Sequence, residues 1–102
     1  MERNLNGGML FLKLGARGCY VALADGTREL VPGYRVRAVD TTAAGDAFNG
    51  ALAVAMLSGK DPIAAARWAS AVAAVSVTRP GAQPSMPTFA EVERFLEQMP
   101  AR

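Results

Sequence analysis

Short apolar runs broken by glycine and polar residues fill the first third of the chain and predict strands. Residues 9–14 form one such run, ending at Gly15, and residues 19–24 form a second, ending at Asp25-Gly26. That dipeptide predicts a hairpin with a type I′ turn, in which both central residues have positive φ. The return strand is expected at residues 28–31.

Pro32-Gly33 then predicts a turn, and polar and apolar residues alternate over residues 34–39 as in a half-exposed strand. The pattern changes after residue 40. An almost wholly apolar stretch at residues 47–57 predicts a buried helix, with Gly59 as its C-cap.

Asp61-Pro62 has the composition of an N-cap followed by the first helical residue, so a second helix is expected over residues 63–77. Residues 79–87 contain three prolines and a glycine and predict a loop. Thr88 and Glu91 form a capping box for a last helix, whose apolar stripe comprises Phe89, Val92, Phe95 and Leu96. Strands followed by helices indicate a sheet covered by helices, of the α/β or α+β class.

Composition limits the possible functions. A chain of 102 residues is one domain at most, too small for a cleft between two lobes. Its net charge of +2 comes from basic residues spread along the chain, which does not indicate nucleic-acid binding. Cys19 is the sole cysteine and histidine is absent, which excludes an internal disulfide, a Cys/His zinc site and a histidine-dependent triad.

The N-terminal eight residues are polar and of mixed charge, unlike a signal peptide or a membrane anchor. We therefore expect a cytoplasmic protein without membrane attachment. The remaining chemistry must use carboxylates, hydroxyls, lysine, arginine or backbone groups.

The segment most informative about chemistry is DTTAAGDAFNG at residues 40–50. It combines a strand end, a turn of small residues and a helix start, where unpaired N–H groups and the positive end of the helix dipole favour an anion. The amides of residues 43–45 could bind a phosphoryl group, and Asp46 could accept a proton from an attacking hydroxyl. The alternative is that Asp46 only stabilises the helix start while Ala43, Ala44 and Gly45 allow a tight turn.

An ordinary P-loop is excluded, because neither Lys13 nor Lys60 follows a glycine-rich loop of the required spacing. The segment DTTAAGD, followed by FNGA at residues 48–51, instead resembles the C-terminal signature of the ribokinase family of carbohydrate kinases. The resemblance extends to LGARG at residues 14–18 and VTRPGAQPS at residues 77–85. This last block is closer to the ribokinase branch than to fructokinases or adenosine kinases.

The resemblance implies an α/β fold, namely the C-terminal part of a three-layer α/β/α domain, with short strands and a hairpin followed by three helices. It also implies ATP-dependent phosphorylation of a sugar hydroxyl, with D-ribose converted to ribose 5-phosphate. Asp46 would be the catalytic base and contact the substrate, and the amides of Ala43, Ala44 and Gly45 would form the anion hole.

The resemblance further implies ligand sites beyond the anion hole. ATP would contact the turn Lys13, Leu14, Gly15, Ala16, Arg17 and Gly18, and Ser70 would lie near the adenine. A monovalent cation, usually potassium, would be surrounded by Asp40, Thr42, Ser76, Arg79, Gly81 and Ser85.

The chain departs from the family pattern in three places. Ala43 replaces a frequent glycine but keeps the amide donor. The sugar-binding glycine motif and the lid strands are absent, and so is the Asn-x-x-Glu motif that orients magnesium. The whole chain, residues 1–102, is therefore expected to be a partial kinase domain, with the magnesium and sugar contacts outside it.

Three hypotheses follow. The chain is the ATP-side part of a sugar kinase, or a nucleotide- or anion-binding remnant without catalysis, or a product that needs a second polypeptide carrying the sugar-binding part. Lost domain contacts would also leave apolar surface that self-association could cover.

Overall fold

The structure is a computed structural model that describes residues 2–6, 8–39, 41, 44–78 and 87–98. Four strands come first, β1 (Glu2–Asn6), β2 (Met9–Lys13), β3 (Gly18–Ala22) and β4 (Arg28–Pro32), with a 3₁₀ turn at Gly15–Arg17 between β2 and β3. Three helices follow: α1 (Ala44–Leu57), α2 (Pro62–Val77) and α3 (Phe89–Gln98). The predicted order of strands before helices is confirmed, and the class is α/β.

The strands form one antiparallel sheet in the order β1-β2-β3-β4. Phe11 lies opposite Val21, and Cys19 lies opposite Val31, so the buried side chains of three strands share one face. Strand β1 was not predicted, because its sequence ERNLN lacks an apolar alternation. It forms by pairing with β2 along its whole length, from Glu2 opposite Lys13 to Asn6 opposite Met9.

The hairpin between β3 and β4 is confirmed, but its predicted type I′ turn is wrong. Among the described residues only glycines have positive φ, and in this turn that residue is Gly26, at +97°. The Leu23 amide donates to the Thr27 carbonyl at 2.9 Å, and the Asp25 carboxylate accepts from the Thr27 amide at 2.9 Å. This side-chain bond holds Asp25 in an Asx turn, so the loop is longer and has a single left-handed residue.

The strand predicted at residues 34–39 is also wrong. Tyr34 makes an isolated bridge, and the residues after it are irregular although polar and apolar positions alternate. The backbone leaves the sheet after Pro32 and reaches the end of α2, where the Val39 amide donates to the Val77 carbonyl at 2.6 Å. The alternation therefore lacks a partner strand within the described part of the chain. The predicted turn also starts later, since Pro32 still pairs with Gly18.

The helix caps form as predicted. The Asp61 carboxylate accepts from the Ala64 amide at 2.9 Å, with Pro62 in the first turn of α2. Thr88 and Glu91 exchange reciprocal bonds of 2.7 and 3.2 Å at the start of α3. Helix α1 begins at Ala44, three residues before the predicted start at Ala47.

Helix α2 is the central element, because it contacts α1, α3 and strands β3 and β4. Helices α1 and α2 pack against each other, and both bury many small residues, which let helices approach closely. The buried alanines of the two helices include Ala47, Ala51, Ala55, Ala65, Ala66 and Ala69. In α3 only Val92 is fully buried, so the predicted stripe is buried in part. None of the described helices is long and apolar enough to cross a membrane.

Candidate active site

A cavity of about 420 Å³ opens where the β2–β3 turn, the segment after β4, the start of α1 and one face of α2 meet. Its size is in the range of small-molecule sites. Its wall is largely apolar, with glycines from three different segments. The lining residues are Lys13, Gly15, Gly18, Gly33, Tyr34, Arg35, Val36, Ala38, Thr41, Ala44, Gly45, Phe48, Ser70, Ala73, Ala74 and Val77.

The first turn of α1 borders this cavity. Ala44 and Gly45, two of the three predicted anion-hole residues, line it, whereas Ala43 lies outside the described residues. The Ala44 amide donates to the Thr41 carbonyl at 3.2 Å. Gly45 lies in the first turn, where N–H groups lack helical acceptors, and its position adds no Cβ to the wall.

Asp46, the predicted base, is exposed in the first turn of α1, one residue after Gly45. It does not line the cavity itself. Its side chain is exposed, so a second molecule could reach its carboxylate from solvent. This position agrees with a role toward a substrate held outside the cavity, and equally with electrostatic stabilisation of the helix start.

Lys13 reaches across from the end of β2 to the same helix start. Its ammonium donates to Asn49 Oδ1 at 3.0 Å and lies 5.6 Å from the centre of the Phe48 ring. A Cβ placed on Gly45 would lie 3.9 Å from Lys13 Nζ. The sequence did not assign roles to Phe48 or Asn49, because a contact between residues 36 positions apart leaves no local signal.

The structure places only part of the predicted nucleotide-binding turn in the cavity wall. Lys13, Gly15 and Gly18 line the cavity, Ala16 lies within the 3₁₀ turn, and Leu14 and Arg17 close the turn with backbone bonds instead. Gly18 has a second reason to be glycine. It has φ of +113°, and a Cβ there would overlap the Val31 carbonyl and lie 2.7 Å from the Gly33 amide nitrogen.

Ser70 is the one polar side chain of α2 in the cavity wall. It is only 7% exposed, and its hydroxyl has no hydrogen-bond partner among the residues that the structure describes. A buried polar group in this state costs about 1–3 kcal/mol unless something binds to it. The hydroxyl therefore suits a polar atom of a ligand in the cavity.

The predicted cation site cannot be assembled from the described residues. Ser76 is buried near the end of α2 and is not part of the cavity wall. The other predicted members, Asp40, Thr42, Arg79, Gly81 and Ser85, lie outside the described residues. Within the described ranges, no three His, Cys, Asp or Glu side chains come together as a metal cluster.

Burial affects two titrating groups near the sheet. It raises the pKa of the Tyr34 phenol, which lines the cavity, although the charge of Arg67 acts in the opposite direction. It also raises the pKa of the Cys19 thiol, from 9.0 to about 11, against the opposing charge of Lys13 and a backbone bond from Leu12. Both groups therefore stay neutral near pH 7.

Known proteins are similar to this chain in sequence and in fold. The ribokinase of Haemophilus influenzae is 46% identical over 88 residues, covering 86% of this chain and 28% of its own length. Arabidopsis thaliana ribokinase, solved with ribose and ATP, is 35% identical with a TM-score of 0.82, covering 88% of this chain and 29% of its own. An E. coli protein assigned as ribokinase II, solved with ATP and Mg²⁺, is 32% identical with a TM-score of 0.83 and the same coverage of both chains.

The chain thus spans between a quarter and a third of the length of these proteins. Residues 4–89 match the sequence profile of the pfkB family carbohydrate kinases, and this stretch includes the start of α1, Lys13 and Ser70. Because that match covers most of the chain, the protein belongs to the pfkB family of carbohydrate kinases.

Proposed function

We propose that this chain forms the ATP-side part of a sugar kinase, which transfers the terminal phosphoryl group of ATP to a sugar hydroxyl. One observation carries the proposal. The cavity is lined both by the start of α1, which favours an anion, and by the unpartnered Ser70 hydroxyl. A nucleotide has both a phosphate chain and a polar base, so it matches these two requirements.

The residues present fit ATP. Val36, Ala73, Ala74 and Val77 provide apolar surface for the adenine, and the Ser70 hydroxyl could bond one of its ring nitrogens or its amine. The glycines of the β2–β3 turn let the backbone approach the ligand. When bound, ATP would supply the phosphoryl group to be transferred.

Asp46 would act as the base. Its exposed position directly after Gly45 would let a sugar hydroxyl approach from the solvent side while the phosphate chain lies against Ala44 and Gly45. Asp46 would accept the hydroxyl proton as the sugar oxygen attacks the terminal phosphorus of ATP, while the bond from that phosphorus to the bridging oxygen breaks and ADP leaves. The amides of Ala43 and Gly45 would stabilise the charge on the transferring oxygens, and the Ala44 amide would do so after exchanging its bond to the Thr41 carbonyl.

The identities of the sugar and of the metal ions are part of the same proposal. D-Ribose is the proposed sugar, supported by the ribose-bound Arabidopsis ribokinase. Mg²⁺ is the proposed divalent cofactor, supported by the E. coli structure with ATP and Mg²⁺. The potassium site at Asp40, Thr42, Ser76, Arg79, Gly81 and Ser85 stays a prediction.

A chimaera tests the catalytic assignment. This chain would replace the matching 88-residue segment of the H. influenzae ribokinase, which supplies the rest of the kinase. The chimaera should phosphorylate ribose, with the sugar-binding part supplied by the H. influenzae enzyme. Asp46→Asn should lower kcat by about 100-fold or more, the usual range for a general base.

Asp61→Asn is the matched control. It also removes a carboxylate at a helix start, but asparagine still caps the helix, so kcat should not change. Equal turnover by the Asp46→Asn chimaera and its parent would contradict the role of Asp46. A chimaera without turnover, made from a chain that still binds ATP, would instead support a nucleotide-binding remnant.

A further inference from the structure

Tyr34 connects the cavity to the last helix of the chain. It follows β4 directly and lines the cavity. Its ring centre lies 5.3 Å from that of Phe95 in α3, and the two ring planes meet at 72°, an edge-to-face contact. Both side chains are partly buried and pack against the hydrophobic core. One aromatic pair therefore joins α3 to the cavity wall.

Helix α3 reaches the cavity only indirectly within the described part of the chain. None of its described residues lines the cavity. The helix also lies almost wholly beyond residues 4–89, the part of the chain that matches the pfkB profile. It is anchored by Val92, which is buried in the core, and the next turn places Phe95 on Tyr34. A change in α3 would therefore act on a ligand through the Tyr34 ring.

The backbone around Tyr34 makes this support useful. The Gly33 amide donates to the Arg17 carbonyl at 3.3 Å, and the Val39 amide donates to the Val77 carbonyl at 2.6 Å. Between these bonds, residues 35–38 have no regular secondary structure, although three of them line the cavity. A site built on irregular backbone keeps its geometry when packing fixes its side chains. The contact with Phe95 provides such packing at Tyr34.

The chemistry of the cavity gives this ring a use. The start of α1, with Ala44 and Gly45, is the part that favours phosphate, whereas Tyr34 and Val36 belong to the largely apolar wall. A nucleobase gains from contact with an aromatic ring, and the gain does not require a particular base. A phosphate chain gains nothing comparable from it. Contact with Tyr34 would thus distinguish a ligand that carries a base from one that carries phosphate alone.

We propose that Tyr34 is a specificity-determining residue that contacts the base of the nucleotide, and that Phe95 of α3 is a positioning residue that holds the Tyr34 ring in the cavity wall. The inference rests on the proposed function and adds to it a role for α3 in recognition of the base.

The first test titrates the full chain with ATP, adenosine and inorganic tripolyphosphate. Tyr34→Leu keeps apolar bulk but removes the ring, so it should weaken binding of ATP and adenosine by about 3- to 10-fold and leave tripolyphosphate affinity unchanged. Tyr34→Phe keeps the ring and should bind all three ligands as the parent chain does. Parent-like affinity of Tyr34→Leu for ATP and adenosine would overturn the inference.

The second test addresses Phe95 and also covers a Tyr34→Leu variant that fails to fold. Phe95→Leu leaves Tyr34 in place and should weaken ATP and adenosine by about 3-fold, again without an effect on tripolyphosphate. Combined with Tyr34→Leu, it should cause no further loss, because it acts through the Tyr34 ring. Unchanged ATP affinity in Phe95→Leu, an equal loss for all three ligands, or a further loss in the double variant would overturn the positioning role.

Leu96 provides the matched control on the same helix. It is 37% exposed, so Leu96→Ala removes apolar surface from α3 without touching the aromatic pair. Its affinity for ATP and adenosine should equal that of the parent chain. A loss as large as that of Phe95→Leu would show a general effect of α3 stability and would overturn the inference. The proposed function fails separately, and this inference with it, if the parent chain binds neither ATP nor adenosine.

Discussion

Ser70 and Ser76 lie on the same helix, and both are buried, but their environments differ. The Ser70 hydroxyl has no partner, whereas Ser76 has a bonding partner. Ser70→Ala should leave the free energy of unfolding unchanged or raise it by about 1 kcal/mol, because it removes an unsatisfied group. Ser76→Ala should lower it by about 1 kcal/mol, because its partner loses a bond.

Urea unfolding of both variants measures this difference. Ser70→Ala should also weaken nucleotide binding, which Ser76→Ala should not. If Ser70→Ala destabilises the chain as much as Ser76→Ala does, then the Ser70 hydroxyl has a structural role and is not reserved for a ligand.

Cys19 gives the chain a dependence on alkaline pH. Burial raises the pKa of its thiol from 9.0 to about 11, so between these values the unfolded chain loses a proton that the folded chain keeps. The free energy of unfolding should therefore be unaffected at pH 7 and fall as the pH rises above 9, by up to about 2–3 kcal/mol at pH 11.

Comparison with Cys19→Ala isolates this contribution, since other groups, including Tyr34, titrate in both proteins. The alanine variant is expected to be less stable at pH 7 because of the cavity it creates, but its stability should decline less steeply between pH 9 and 11. Parallel stability profiles for the two proteins would show that the thiol is not the group responsible.

At the scale of the elements, two glycines should respond in opposite directions to the same substitution. Gly18→Ala places a methyl group on the Val31 carbonyl at a positive φ, so it should separate β3 from β4 and cost about 2 kcal/mol or more. Gly50 lies inside α1, and a methyl group added there would meet no neighbouring element within 4 Å. Gly50→Ala should therefore stabilise the chain by about 0.5–1 kcal/mol.

Thermal unfolding followed by circular dichroism measures both effects. A Gly18→Ala variant as stable as the parent would mean that the start of β3 can move away from β4. In that case, the ligand would be the better explanation for glycine at this position.

The elements that sequence predicts well are those whose signals are local. Asp61, Thr88 and Glu91 accept hydrogen bonds from amides three residues away, and Pro62 fixes the backbone of the first helical position, so the caps form as expected. Strand β1 and residues 34–39 depend on partners elsewhere in the chain. A polar segment became a strand because β2 was available, and an alternating segment did not because no described strand pairs with it.

The same distinction applies to the candidate site. The start of α1 was predicted because small residues, Asp46 and a helix pattern follow one another in sequence. The bond between Lys13 and Asn49 and the missing partner of Ser70 could not be predicted, since each depends on how the sheet, α1 and α2 pack together.

At the scale of the whole molecule, α2 contacts α1, α3 and two strands, whereas within the described part of the chain α1 packs mainly against α2. Helix α1 is apolar around most of its circumference, which is typical of a buried helix. Nevertheless Val54 is 65% exposed and Leu57 is 88% exposed, and their spacing puts them on the same face. Contiguous exposed apolar side chains of this kind favour association.

The chain should therefore self-associate as its concentration rises, with a sedimentation mass above the 10.7 kDa of one chain. Leu57→Glu should shift the protein toward the monomer with little change in stability, because the side chain makes few contacts that could be lost. Leu30→Glu, in β4 of the sheet and also exposed, is the control and should not change the association. A mass of one chain at every concentration would contradict the prediction, and equal effects of the two variants would place the contact elsewhere than on α1.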